Sequence, residues 1–130
     1  MEKRFLAKQP HGMPFSHGIV ITRPEKFIVL AGQCAWDRHG PDRKLVGPGD
    51  IEAQTRQVLV NLKAVLEAAG SSLDRVVKCT VMITDMADFA AMNKVYAEFF
   101  KAPFPARATF QVAGLAMKAM VEIDCIAIKP

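Results

Sequence analysis

The sequence predicts an α+β fold in two layers: one mixed sheet of six strands with two helices packed on one of its faces. Three observations predict it. Two stretches carry apolar residues at helical spacing, six shorter stretches have the composition or alternation of strands, and they follow one another as β-β-β-α-β-α-β-β. A chain of 130 residues fits one domain, spanning 1–130, and can bury a core without disulfide or metal staples.

Each element has its own signal. A first strand is expected near residues 4–8. Gly18–Thr22 (GIVIT) and residues 26–31 (KFIVLA), continuing toward Gln33, are rich in β-branched and apolar residues. They read as hairpin partners across the turn Arg23-Pro24-Glu25. Residues 37–50, rich in Gly, Pro and charge, read as an exposed loop. In residues 51–69, Val58, Leu62, Val65, Leu66 and Ala69 form one apolar stripe, with Asp50 placed to cap the helix and Gly70 suited to a left-handed C-terminal stop. Residues 75–83 alternate as a strand, with Val77, Cys79, Val81 and Ile83 on one face and Lys78 and Thr80 on the other. Thr84 or Asp85 caps a second helix running to about Phe100, with Phe89, Met92, Tyr96 and Phe99 as its buried stripe and Pro103 and Pro105 as its stop. Two last strands cover residues 106–112 and 119–128.

Composition narrows the function classes. A hydrophobic share of 51% and a charged share of 23% belong to a globular chain rather than a disordered one. No apolar run approaches the roughly 20 residues that span a bilayer, so no membrane partner is expected. The N-terminal residues lack the apolar core of a signal peptide, which makes a cytoplasmic location the expectation. Cys34, Cys79 and Cys125 are far apart, odd in number and without a CxxC pair, so neither a metal ribbon nor a disulfide framework is indicated. The net charge of +4 is scattered among acids, with no basic stripe, and a nucleic-acid partner is disfavoured.

The last two strands carry the chemistry. Arg107, Thr109 and Gln111 alternate against Ala108, Phe110 and Val112, and Glu122 and Asp124 alternate against Val121, Ile123, Cys125 and Ala127. If both apolar sets cover the helices, both polar sets lie together on the second face of the sheet, with Arg107 and Glu122 in one cleft. Met120, Ile126 and Ile128 share that second face. Isoleucines mixed with charges suggest burial against other subunits rather than solvation, although an ordinary solvated face alternates in a similar way.

Pro105-Ala106-Arg107-Ala108-Thr109-Phe110-Gln111-Val112, then Gly114, Leu115 and Val121-Glu122-Ile123, resemble the C-terminal signature of the RidA (YjgF) family of imine and enamine deaminases. Leu30-Ala31-Gly32-Gln33, Gln54-Thr55-Arg56-Gln57, Asn61-Leu62, Glu67-Ala68-Ala69-Gly70, Val77-Lys78-Cys79-Thr80-Val81, and Asp88-Phe89-Ala90 through Asn93 and Tyr96 extend the resemblance over nearly the whole chain. It implies a chorismate-mutase-like fold, a homotrimer whose sheets line a central barrel, and active sites in the clefts between subunits. It also implies hydrolysis of reactive 2-imino or 2-enamino acids to 2-keto acids and ammonia, with no cofactor and no metal.

The same resemblance makes Arg107 the residue that holds the substrate carboxylate, a role suited to the planar guanidinium fork. Glu122 becomes the carboxylate that positions and deprotonates water. Gly32 would offer its backbone at close range, and Asn93 would neighbour the site from the second helix. Phe15, Ala31 and Thr109 are the expected departures at the substrate: they stand where the best-known deaminases carry tyrosine, serine and cysteine. They put the usual 2-aminoacrylate substrate in question and leave room for a bulkier or more apolar one. His11, His17 and His39 lack metal-ligand spacing and read as surface residues. Two other classes stay open, a non-catalytic small-carboxylate-binding or chaperone-like trimer and an endoribonuclease, the second without a paired-histidine or basic-groove signal.

Overall fold

The computed structural model describes residues 2–6, 12–24 and 26–129. In chain order its elements are β1 (Glu2–Leu6), β2 (Gly18–Thr22), β3 (Lys26–Gln33), α1 (Ile51–Ala68), β4 (Val76–Ile83), α2 (Phe89–Phe99), β5 (Ala106–Gln111) and β6 (Val121–Lys129). This is the predicted order, with the first strand starting earlier than expected; residues 7 and 8 of the predicted strand lie outside the described residues. No described helix is long and apolar enough to cross a membrane.

The sheet departs from the expected six strands. Four strands form it, in the order β3-β6-β4-β5, while β1 and β2 pair with each other in a separate antiparallel ribbon. The sheet is mixed as expected, since β4 runs parallel to β5 and antiparallel to β6. The predicted β2–β3 hairpin is replaced by these other pairings. Arg23 adopts a left-handed φ of 53° and Pro24 has no N–H to donate, so the chain leaves the line of β2 without closing a ladder onto β3. β3 pairs antiparallel with β6 instead, placing Ile28 opposite Ala127 and Leu30 opposite Cys125.

The helices form where their ends are satisfied. The Asp50 carboxylate accepts the Ala53 N–H at 3.0 Å, which caps α1. At the other end Gly70 takes a φ of 79°, and the Ser71 N–H reaches back to the Leu66 carbonyl at 2.9 Å. Asp85 caps a 3-10 turn at Met86–Asp88 that leads into α2, rather than α2 itself. The core lies between both helices and one sheet face: Val58, Leu59, Leu62 and Leu66 of α1 and Met92, Val95 and Tyr96 of α2 meet Cys79, Val81, Ile83, Val121, Ile123, Cys125 and Ala127. Val65, expected in the α1 stripe, is instead 39% exposed, and Leu59 takes its place. On α2, Phe89 and Phe99 are only partly buried.

Two buried amides tie the loops to α1. The Gln54 side chain donates to the Gly47 carbonyl at 3.0 Å and accepts from the Met120 N–H at 2.9 Å. Asn61 donates to the carbonyls of Cys34 and Trp36, both at 3.1 Å, and so fixes the chain just beyond β3.

All three cysteines are buried and free, and burial pushes each thiol up to about 12. A folded sample at pH 8 should therefore leave a thiol reagent such as dithiobis-nitrobenzoate essentially unreacted over minutes, and should titrate all three cysteines once denatured. Rapid reaction of one equivalent in the folded protein would contradict this packing.

Candidate functional site

The faces of the sheet follow from register. In the parallel ladder Cys79 lies opposite Arg107, Val81 opposite Thr109 and Ile83 opposite Gln111. Cys79, Val81 and Ile83 point to the helices, so Arg107, Thr109 and Gln111 point there too. In the antiparallel ladder Met82 lies opposite Glu122 and Thr80 opposite Asp124, so those carboxylates point to the other, uncovered face. Arg107 and Glu122 therefore project from opposite faces of one sheet, which overturns the expectation of a shared polar face. Ala108 and Phe110 are correspondingly on the open side, with Phe110 45% exposed. Arg107 is accommodated on this side because α2 meets the edge strand with aromatic rings, which accept a guanidinium as an aliphatic layer would not, while Gln111, exposed at the strand end, accepts the Met86 N–H at 2.9 Å.

Those rings form a cage. The Arg107 Cζ lies 4.8 Å from the Tyr96 ring centroid, 5.2 Å from Phe15 and 5.8 Å from Phe89. Phe15 is brought there by the segment before β2, where the Ser16 N–H donates to the Pro105 carbonyl at 3.0 Å and the Ser16 hydroxyl donates to the Phe104 carbonyl. Both Nη atoms of Arg107 are buried with no hydrogen-bond partner among the described residues, as are the Thr109 hydroxyl, the Asn93 Oδ1 and the Tyr96 hydroxyl. The Tyr96 hydroxyl lies near the Cys79 thiol but outside good hydrogen-bond geometry. Burial pulls the Arg107 guanidinium down from its ordinary value and drives the Tyr96 phenol well up, so Tyr96 stays a neutral donor. A buried cation with two donors and no anion beside it among the described residues has the chemistry to pair with a planar anion.

A second cluster sits on the open face. The Cys34 thiol donates to Glu122 Oε1 at 3.4 Å, and a Cβ on Gly32 would collide with Glu122 Oε2. Only glycine leaves that oxygen its space. The strand irregularity between Leu30 and Gln33 turns the end of β3 across Glu122, and Asn61 holds the following residues in place from the helix side. One carboxylate oxygen is thus engaged by a neutral thiol and the other faces a backbone cradle.

The predicted site residues separate into these two groups. Arg107, Thr109 and Phe15 lie together on the helix side of β5, with Asn93 one turn beyond Phe89 on α2, and Gly32 and Glu122 meet on the open face, with Ala31 exposed on β3 beside them. Cys34, Phe89 and Tyr96 join the site without having been expected there. Phe89 and Tyr96 were visible as apolar positions of α2, but their link to Arg107 depends on where α2 meets β5. Cys34, two residues beyond Gly32, needed the irregularity of β3 to reach Glu122. His17 and His39 are exposed, and His11 lies outside the described residues. No group of three or more His, Cys, Asp or Glu side chains among the described residues is arranged to hold a metal ion.

Known proteins share this arrangement of elements. A family profile described as Endoribonuclease L-PSP matches residues 7–129, and the chain belongs to that family, the RidA (YjgF) family. It is 46% identical over 123 residues to a RutC family protein of Pyrococcus horikoshii, covering 95% of this chain and 92% of that one. It is 38% identical over 124 residues to the 2-iminobutanoate/2-iminopropanoate deaminase of Capra hircus, covering 95% and 86%. Among solved structures, RidA from an Antarctic Psychrobacter superposes with a TM-score of 0.75 at 36% identity over 88% of each chain. A Rid family protein of Yersinia pestis superposes with a TM-score of 0.84 at 30% identity, over 99% of this chain and 100% of that one.

The unpaired guanidinium makes a prediction about stability. Arg107→Met keeps the aliphatic stem and removes a buried, uncompensated charge. It should stabilise the ligand-free fold by about 1 kcal/mol in urea denaturation, the usual direction when an unsatisfied buried group is replaced by an apolar one. A loss of stability would mean that the aromatic contacts outweigh the desolvation of the charge.

Proposed function

We propose that this chain hydrolyses 2-imino or 2-enamino acids to 2-keto acids and ammonia, at sites completed between subunits of a homotrimer. The observation that carries the reading is the pair of buried Nη atoms of Arg107, unpartnered among the described residues, a bidentate seat for a carboxylate in a low-dielectric cage. Related proteins named as deaminases and the resemblance of the signature residues support it.

The chemistry needs few groups. With the substrate carboxylate on Arg107, the C=N carbon next to it is held in one place. A water hydrogen-bonded to Glu122 attacks that carbon, and the carboxylate takes the proton released as the C–O bond forms. The protonated carboxyl returns that proton to nitrogen to give the carbinolamine, and Glu122 then carries the hydroxyl proton to the same nitrogen as the C–N bond breaks and the C=O bond forms, so that ammonia leaves and a ketone remains. An enamine reaches the same path once its β-carbon is protonated to give the imine. Thr109, Asn93 and Tyr96 supply the remaining polar atoms around the seat, and no step calls on a cofactor.

Because Arg107 and Glu122 leave the sheet on opposite faces, a single chain does not present both to one substrate. A second copy does, if its open face brings Gly32 and Glu122 against the β5 edge of the first. The open face suits such burial, since it carries Phe27 at 57%, Val29 at 74% and Phe110 at 45% exposure. A non-catalytic carboxylate-binding trimer is the second reading, and the absence of hydroxyls at Phe15 and Ala31 favours it. RNA cleavage has no support from His17 and His39, which sit exposed on different loops.

Imines generated from several amino acids by an amino-acid oxidase, with keto acid and ammonia followed, test the proposal. The wild-type protein should accelerate hydrolysis. Arg107→Ala should lower kcat/KM on the order of a hundredfold, the cost of removing one partner of a buried charge pair. Glu122→Gln should lower kcat by about 10²-fold or more with a smaller effect on KM. Binding of 2-keto acids without turnover would move the assignment to the second reading.

The Cys34 thiol bears on the same step. Cys34→Ala leaves Glu122 Oε1 without its donor and should reduce kcat several-fold, by about the value of one hydrogen bond, while Cys34→Ser should restore most of it. Equal activity of all three proteins would show that the contact is only packing.

A further inference from the structure

A cavity of about 390 Å³ lies beside the aromatic cage, between α2 and the segment that carries Phe15. Phe89, Asn93 and Ala97 recur at i, i+4 and i+8 and make its α2 wall, and Met13, Pro14 and Phe104 stand opposite. Phe89 belongs to both places, since its ring packs on Arg107 and also lines the cavity, and Asn93, one turn further along α2, lines the cavity and has a buried Oδ1 without a partner among the described residues. The lining is mainly apolar, with Lys94 as its one cation among the described residues.

The geometry points to this cavity as the seat of the substrate's side chain, and so to 2-imino acids with a sizeable apolar side chain, those of leucine, methionine or phenylalanine, as the substrate class. The inference rests on the assignment of Arg107 to the carboxylate. It then follows from what surrounds that seat. A 2-imino acid held by its carboxylate has two further groups to place, a C=N nitrogen and a side chain. Asn93 presents an unpartnered acceptor that suits an iminium N–H. Continuing past Asn93 along α2, a side chain meets Phe89, Ala97, Met13 and Phe104, which offer it apolar surface and no hydrogen bonds. Phe15 adds a ring without a hydroxyl at the junction. A methyl group, as in the alanine-derived imine, would leave most of this volume unfilled.

The test compares kcat/KM for oxidase-generated imines of leucine and alanine. The expected leucine-to-alanine ratio is about tenfold or more, the scale on which added methylenes discriminate in an apolar pocket. Ala97 is exposed on α2, so Ala97→Phe narrows the cavity without entering the core. It should lower that ratio on the order of tenfold, and Ala97→Leu should lower it by less. A ratio near one in the wild-type protein, or a ratio unchanged in Ala97→Phe, overturns the inference while leaving the deaminase reading intact.

Calorimetry with the product keto acids, 4-methyl-2-oxopentanoate against pyruvate, separates the two claims. If no imine is hydrolysed, the deaminase reading fails. The cavity assignment then stands if the longer keto acid binds about tenfold more tightly and Ala97→Phe removes the difference. It falls if the two bind alike.

Discussion

The Arg107 guanidinium sits on the helix side of its sheet, among three aromatic rings and with no anion among the described residues to neutralise it. The rest of the site depends on that constraint. A charge in such a place is costly, and the rings recover only part of the cost, about 0.5 to 2 kcal/mol each for a well-placed cation–π contact. The arrangement persists because β5 is locked in parallel register to β4 and because Tyr96 is part of the core. The proposed carboxylate ligand would complete what the fold leaves unpaired. This is the sense in which stability and binding trade against each other at this position.

The two faces of the sheet divide the labour. One face, covered by α1 and α2, holds the cation and its polar neighbours. The other presents Glu122, with one oxygen engaged by the Cys34 thiol and the other lying in the space that a side chain at Gly32 would fill. Among the described residues the arginine has no carboxylate and the carboxylate no arginine, and in the proposed assembly these opposite faces of one sheet would be complementary halves. Exposed Phe27 and Val29 on β3 and Phe110 on β5 give the open face a reason to meet another copy of the chain. The proposed trimer is what would bring the halves together, and it would bury the mixture of isoleucine and carboxylate that makes this face ill-suited to water.

What could be seen in advance, and what could not, divides along a physical line. The element order, the Asp50 cap, the Gly70 stop and the alternation of β4 and β6 follow from local patterns, and the structure agrees with them. The pairing of β2 with β1 and the facing of β5 do not. A strand's partner depends on what the rest of the chain offers, and the assumption that charge turns away from helices fails where the helix supplies aromatic rings. For the same reason Arg107 and Glu122 were recognisable one by one, but their separation onto two faces was not. Tyr96, Phe89 and Cys34 enter the site only through contacts between distant segments, which no spacing in the sequence records.

The most direct test of the central claim is complementation between two inactive variants. Arg107→Ala subunits retain Glu122, and Glu122→Gln subunits retain Arg107. If one substrate is served by the two residues from different subunits, denaturing the variants together and refolding them as mixed oligomers should restore activity. At equal proportions about a quarter of the sites should regain full function, as random assembly around a closed ring requires. Mixed oligomers of confirmed composition that stay as inactive as either variant alone would contradict the account and place both residues at a site within a single chain.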